Sequence, residues 1–143
     1  MPAPGVKARV DRFWRAIKRL QTILNVSEEQ FIENEDLIDA SERNLQVAVE
    51  AMIDVSEALI AYMRWRTPKS YKEIGMILLE NRVIGETLSE QFKEAVNIRN
   101  ILVHNYVYLA PRELYANIKN FVVSLTKMMN NVISYMQEKN IDP

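Results

Sequence analysis

Apolar side chains recur along this chain every three, four or seven positions, and no stretch keeps the strict alternation that a half-buried strand needs. The pattern predicts an all-α fold. A first helix over about residues 7–24 carries Val10, Phe13, Trp14, Ile17, Leu20 and Leu24 on one stripe. Ser27-Glu-Glu-Gln30 has the form of a capping box and starts a short second helix. The longest segment, about 36–65, lines up Leu37, Leu45, Val49, Met52, Ile53, Leu59, Ile60 and Met63; Thr67-Pro68 should end it, because proline disfavours helix in the residue before it. "SYKE" from Ser70 and "TLSE" from Thr87 read as two more capping boxes, with helices from about 71 and 88 and Ile84-Gly85 between them. Pro111 suits a first helical turn, and the last helix runs to about 138 through Leu114, Ile118, Phe121, Val122, Leu125, Met128, Met129, Val132 and Met136. Such stripes need other helices to cover them, so the expected architecture is an up-and-down bundle of about five or six antiparallel helices.

Composition narrows the setting. A chain of 143 residues with 48% hydrophobic and 26% charged content suits one globular domain spanning 1–143, and Gly 3 and Pro 5 leave few breaks in long helices. Without cysteine there is no disulfide framework and no thiolate metal site. The first 25 residues mix charge with apolar side chains, unlike a signal peptide or a membrane span, so a cytoplasmic protein is expected. The net charge of −1 gives no global field for nucleic acid, yet Lys7, Arg9, Arg12, Arg15, Lys18 and Arg19 crowd the first helix. Glu28, Glu29, Glu33, Glu35, Asp36, Asp39 and Glu42 follow it. The two runs read first as solvated faces that complement each other, with a phosphate-tracking surface on the first helix as the second reading.

Candidate chemistry gathers in "RNILVHNY", residues 99–106, which holds the one histidine of the chain. On a helix turning ~100° per residue, Asn100 and His104 lie ~40° apart on one face, whereas Arg99 and His104 differ by ~140°. Arg99 offers a planar fork suited to phosphate, Asn100 a neutral donor and acceptor, and His104 the side-chain type that ordinarily exchanges protons near neutral pH. That set fits cleavage of a phosphodiester. Residues 95–112 contain no Asp or Glu and the chain has no glycine-rich phosphate loop, so the nucleophile is best taken from RNA itself, as its 2′-hydroxyl. Such cleavage needs a base and an acid. A two-fold dimer supplies a second imidazole and a composite groove with Arg99 and His104 from both copies. Glu50 and Asp54, one turn apart in the longest helix, are candidates for orienting the motif arginine or histidine, and the Phe121, Met128, Met129 and Met136 stripe reads as core or dimer seam. Tyr106, read from composition, packs at a helix end.

The Arg-x4-His-x-Tyr pattern resembles the signature of HEPN-domain ribonucleases, and "LQVAVEAMIDVSEALIA", "TPKSYKEIGMILLENRVI" and "LSEQFKEAVNIRNILVHNYVYLAPRELY" resemble the HepT toxin branch. The resemblance implies an all-α, dimeric bundle with the motif in a cleft between subunits, and a metal-independent endoribonuclease acting as toxin of a type VII-like toxin–antitoxin pair. It makes Arg99 and His104 the catalytic pair, Asn100 a polar helper and Tyr106 a position of control. The implied partner is a minimal nucleotidyltransferase antitoxin that transfers AMP from ATP to Tyr106, where the bulky anion would fill the groove meant for RNA phosphate. No cofactor of the chain's own, no membrane and no DNA enter this expectation. The alternative is a non-catalytic helical module that binds a nucleotide or accompanies a nucleotidyltransferase.

Overall fold

The computed structural model describes residues 5–104 and 109–141. Among them stand six helices and no strand: α1 (Val6–Ile23), α2 (Glu28–Ile32), α3 (Glu35–Met63), α4 (Tyr71–Glu80), α5 (Glu86–His104) and α6 (Pro111–Glu138). At 1.5 Å per residue the 29-residue α3 is ~43 Å long, and it touches each of the other five helices. One buried cluster draws on all six, with Phe13, Phe31, Phe92, Leu20, Leu45 and Leu59 among its fully buried members. Each such side chain contributes ~1.5–3 kcal/mol through its burial. Phe121, Met128, Met129 and Met136 belong to this core within a single chain. No helix among the described residues is long and apolar enough to cross a membrane.

The helix ends explain where the sequence pattern was right and where local chemistry overrode it. Ser27 forms the full capping box, its hydroxyl accepting from the Gln30 amide at 3.2 Å while its own amide donates to the Gln30 side chain. Ser70 precedes α4 without a side-chain cap: the Glu73 amide donates to the Ser70 carbonyl at 3.2 Å, and the Glu73 carboxylate, the other half of the box, pairs with Arg66. Thr87 lies inside α5 rather than before it: the helix begins at Glu86, with the Gly85 carbonyl accepting from Ser89. Nor does Thr67-Pro68 end α3. Arg64 does, three residues earlier.

Arg64, Arg82 and Asn140 all adopt left-handed φ values of 58°, 60° and 56°. Each donates its amide to the carbonyl three residues back, and the next residue reaches five back: Trp65 to Ile60, Val83 to Leu78, Ile141 to Met136. This closure satisfies carbonyls that a helix end leaves unpaired, and an apolar residue just past the turn folds onto the core. Val83 and Ile141 are buried and Trp65 packs against the cluster, which offsets the left-handed strain that glycine would avoid.

A close approach sets the helix that carries the motif. A Cβ on Gly75 of α4 would lie 2.9 Å from Phe92 Cβ and 3.2 Å from the Ser89 carbonyl of α5. Glycine is what lets the two helices come this near, and the Ser89 hydroxyl donates to the Gly75 carbonyl at 3.0 Å. α5 is thereby fixed against α4 in the first half of its length, upstream of Arg99.

Candidate active site

Phe92, Ala95, Val96 and Ile98 turn one side of α5 into the core, and Arg99 comes at the edge of that buried side. Its guanidinium is mostly covered, with 18% of the side chain exposed, and α3 supplies the partner. Glu50 Oε2 accepts from Arg99 Nε at 3.1 Å and from Nη2 at 2.9 Å. Nη1 donates to Asn100 Oδ1 at 3.1 Å. The Tyr71 ring, at the start of α4, lies 5.5 Å from the guanidinium carbon, close enough for a cation–π contact.

These contacts make Arg99 a preset group. Among the described residues three hydrogen bonds engage a guanidinium that carries five N–H donors, which leaves two for an incoming anion. Glu50 balances the charge locally and fixes the fork's plane, while the partial burial of both groups makes the pairing stronger than one on the open surface. His104 is the last residue of α5 and is exposed. Five residues of helix separate it from Arg99, or ~7.5 Å along the axis and ~140° around it. Tyr106, the expected position of control, lies outside the described residues.

Of the two acids expected to orient the motif, Glu50 holds Arg99 and Asp54 does not. Asp54 pairs with Arg9 of α1 at 3.5 Å. One turn farther along α3, it meets α1 instead of α5. Nothing local marks Tyr71 for this role, since its position one residue after Ser70 reads only as the beginning of a helix. The charge pattern also resolves differently from the first expectation. Glu28 and Glu29 pair with Arg112 of α6 at 3.4 and 3.1 Å, and the only α1 ion pairs among the described residues are Lys7–Asp11 and Arg9–Asp54.

A sequence model described as Ribonuclease HepT-like matches residues 14–132, from within α1 to within α6. The chain belongs to the HepT-like ribonuclease family. The matched span includes Glu50, Tyr71, Arg99, Asn100 and His104. An mRNA nuclease HepT of Shewanella oneidensis is 34% identical over 92 residues, 64% of this chain and 68% of that protein. A tRNA nuclease HepT of Aphanizomenon flos-aquae is 22% identical over 133 residues, 92% of this chain and 89% of the other. In three dimensions the chain superposes with a TM-score of 0.83 on a tri-AMPylated HEPN toxin of Shewanella oneidensis solved in complex with MNT antitoxin. That likeness covers 92% of this chain and 98% of the other at 24% identity, and establishes the shared HepT-like bundle.

Proposed function

We propose that this chain, working as one HEPN-like domain over 1–143, is a metal-independent endoribonuclease and the toxin of a toxin–antitoxin pair. The observation that carries the reading is the Arg99 guanidinium, held by Glu50 with donors to spare, on the same helix that ends in an exposed His104. Arg99 binds the scissile phosphate. An imidazole takes the proton of the ribose 2′-hydroxyl as its oxygen attacks phosphorus; the bond to the 5′-oxygen breaks, and that oxygen takes a proton from a second imidazole. The products are a 2′,3′-cyclic phosphate and a 5′-hydroxyl. Because the helix turns Arg99 and His104 ~140° apart, a homodimer in which the two copies share one groove brings the groups together better than one chain does. One relative is named for mRNA and the other for tRNA, in keeping with a motif that handles phosphate and ribose rather than base edges.

The regulatory partner in this reading is a minimal nucleotidyltransferase that uses ATP. It joins AMP to the Tyr106 hydroxyl with loss of pyrophosphate, and the added anion competes with RNA for Arg99. The AMPylated toxin in complex with MNT antitoxin supports this part. The cytoplasm, where RNA and ATP meet, is the proposed place of action.

The test is RNA cleavage in EDTA by the chain alone, by His104→Ala and by Arg99→Ala, together with growth of cells expressing each. Cleavage and arrest by the parent alone are expected. Full activity in His104→Ala rejects the mechanism, and an inert parent that still binds the nucleotidyltransferase favours the non-catalytic module. After coexpression with that partner, mass spectrometry should find AMP on Tyr106; a mass shift persisting in Tyr106→Phe moves the modification elsewhere.

A further inference from the structure

Arg12, Arg15 and Arg19 share one side of α1, and the antiparallel packing of α1 on α3 sets Arg43 opposite them around a cleft of about 430 Å³. All four are exposed, and among the described residues none has a carboxylate within ion-pair distance. Four like charges around one cleft repel each other, which an anion relieves, and the guanidinium fork fits phosphate oxygens better than an ammonium does. Ala16 and Val47 supply an apolar floor that a sugar can lie on. The cleft is no isolated dent. Arg12 and Val47 also line an adjoining depression of about 280 Å³ that reaches Glu50, the residue holding Arg99. Positions 43, 47 and 50 follow one face of α3 for ~10 Å, so the arginines lead as far as Glu50, whose carboxylate holds Arg99. The acids along this path are already balanced, Asp54 by Arg9 and Glu50 by Arg99.

We propose that the α1–α3 cleft binds the sugar–phosphate backbone of single-stranded RNA upstream or downstream of the bond cut at Arg99. The inference rests on the ribonuclease reading and names how its substrate is held. Acidic surfaces of a partner protein, or of a second copy, are the competing occupants.

The experiment combines Arg15→Gln, Arg19→Gln and Arg43→Gln in the full chain. Binding of a fluorescent ~20-nucleotide RNA is measured by anisotropy in the His104→Ala background, so that cleavage does not interfere. Three lost phosphate contacts should weaken binding roughly tenfold or more and flatten the dependence of log K on log salt by about 2. With His104 intact, KM for the same RNA should rise while kcat stays within about twofold. The Lys counterparts of the three substitutions keep the charge and should bind within about threefold of the parent, which separates electrostatics from misfolding. Unchanged affinity and salt slope overturn the proposal. So does a triple Gln variant that binds RNA normally but loses its nucleotidyltransferase partner or its dimer in sedimentation. If Arg99→Ala and His104→Ala were to cleave like the parent, the binding arm is read with the 2′-O-methyl form of the same RNA, which lacks the attacking hydroxyl, so failure of the catalytic reading is told apart from failure of this one.

Discussion

Glu50→Ala removes the acceptor of two Arg99 hydrogen bonds, 3.1 and 2.9 Å long, from a pair whose side chains are 18% and 35% exposed. An ion pair on the open surface contributes ~0.2–1 kcal/mol. Breaking a fully buried one costs ~3–5 kcal/mol, because it strands a charge. Partial exposure puts this pair between those limits, at about 1–2 kcal/mol. With ~2.1 cal/mol/K of unfolding entropy per residue, a chain of 143 residues loses ~3 °C of Tm per kcal/mol, so calorimetry should record a drop of about 3–7 °C. The larger effect belongs to catalysis. Among the described residues Arg99 would keep Asn100 and the Tyr71 ring to orient its fork, and displacement of a phosphate-binding group by ~1 Å costs about 100-fold in rate. RNA cleavage by Glu50→Ala should therefore fall in kcat by ~10–100-fold at a temperature well below its Tm, with Glu50→Gln, which retains one acceptor oxygen, in between. Parental Tm and kcat in Glu50→Ala would refute the positioning argument. Faster cleavage would refute it too, by making Glu50 a brake.

Gly75→Ala should destabilise the chain by about 1–3 kcal/mol, seen as a lower midpoint in urea, since the new methyl meets Phe92 Cβ at 2.9 Å and neither backbone can give much; a wild-type midpoint would mean that the α4–α5 crossing relaxes freely. Glu57 has its carboxyl pushed above the ordinary value of 4.5, by burial first and by Asp54 second. The folded state thus binds that proton more readily than the unfolded one, and the charged form opposes folding at neutral pH. Glu57→Gln should raise Tm at pH 7, and the gain should fade as pH falls through the raised folded value toward 4.5; a gain independent of pH would point to packing instead.

The bundle was legible because its stripes are long: α1, α3 and α6 run for 18, 29 and 28 residues, and repeated apolar spacing over such lengths admits one reading. Single-residue boundaries were less so. At Ser70 the Glu73 amide went to the Ser70 carbonyl and the Glu73 carboxylate to Arg66, and α3 stopped at Arg64 as Trp65 folds back onto the core, so contacts beyond the local pattern decided both ends. A cue existed in the apolar residue after a polar one at each of Arg64, Arg82 and Asn140. At the site, Glu50 and Asp54 were indistinguishable in sequence, since the choice between them depends on which neighbouring helix, α5 or α1, each one faces. Tyr71 left no local trace, as its partner Arg99 lies 28 positions away and only the α4–α5 crossing brings them together. The arginine cleft was half visible: the α1 cations stood out, but Arg43 joins them only through antiparallel packing.

The placement of Glu50 on α3 also bears on how such a protein loses its activity. Val49, Met52 and Ile53, within one turn of Glu50, are sealed in the interior, so the carboxylate that aims Arg99 rides on a stretch of α3 anchored in the core. Heat or a cavity-forming substitution that loosens this stretch must misalign the guanidinium at the same moment. A partly melted form would be a harmless one, and damaged copies of the protein would fall silent before they became free to cut without restraint.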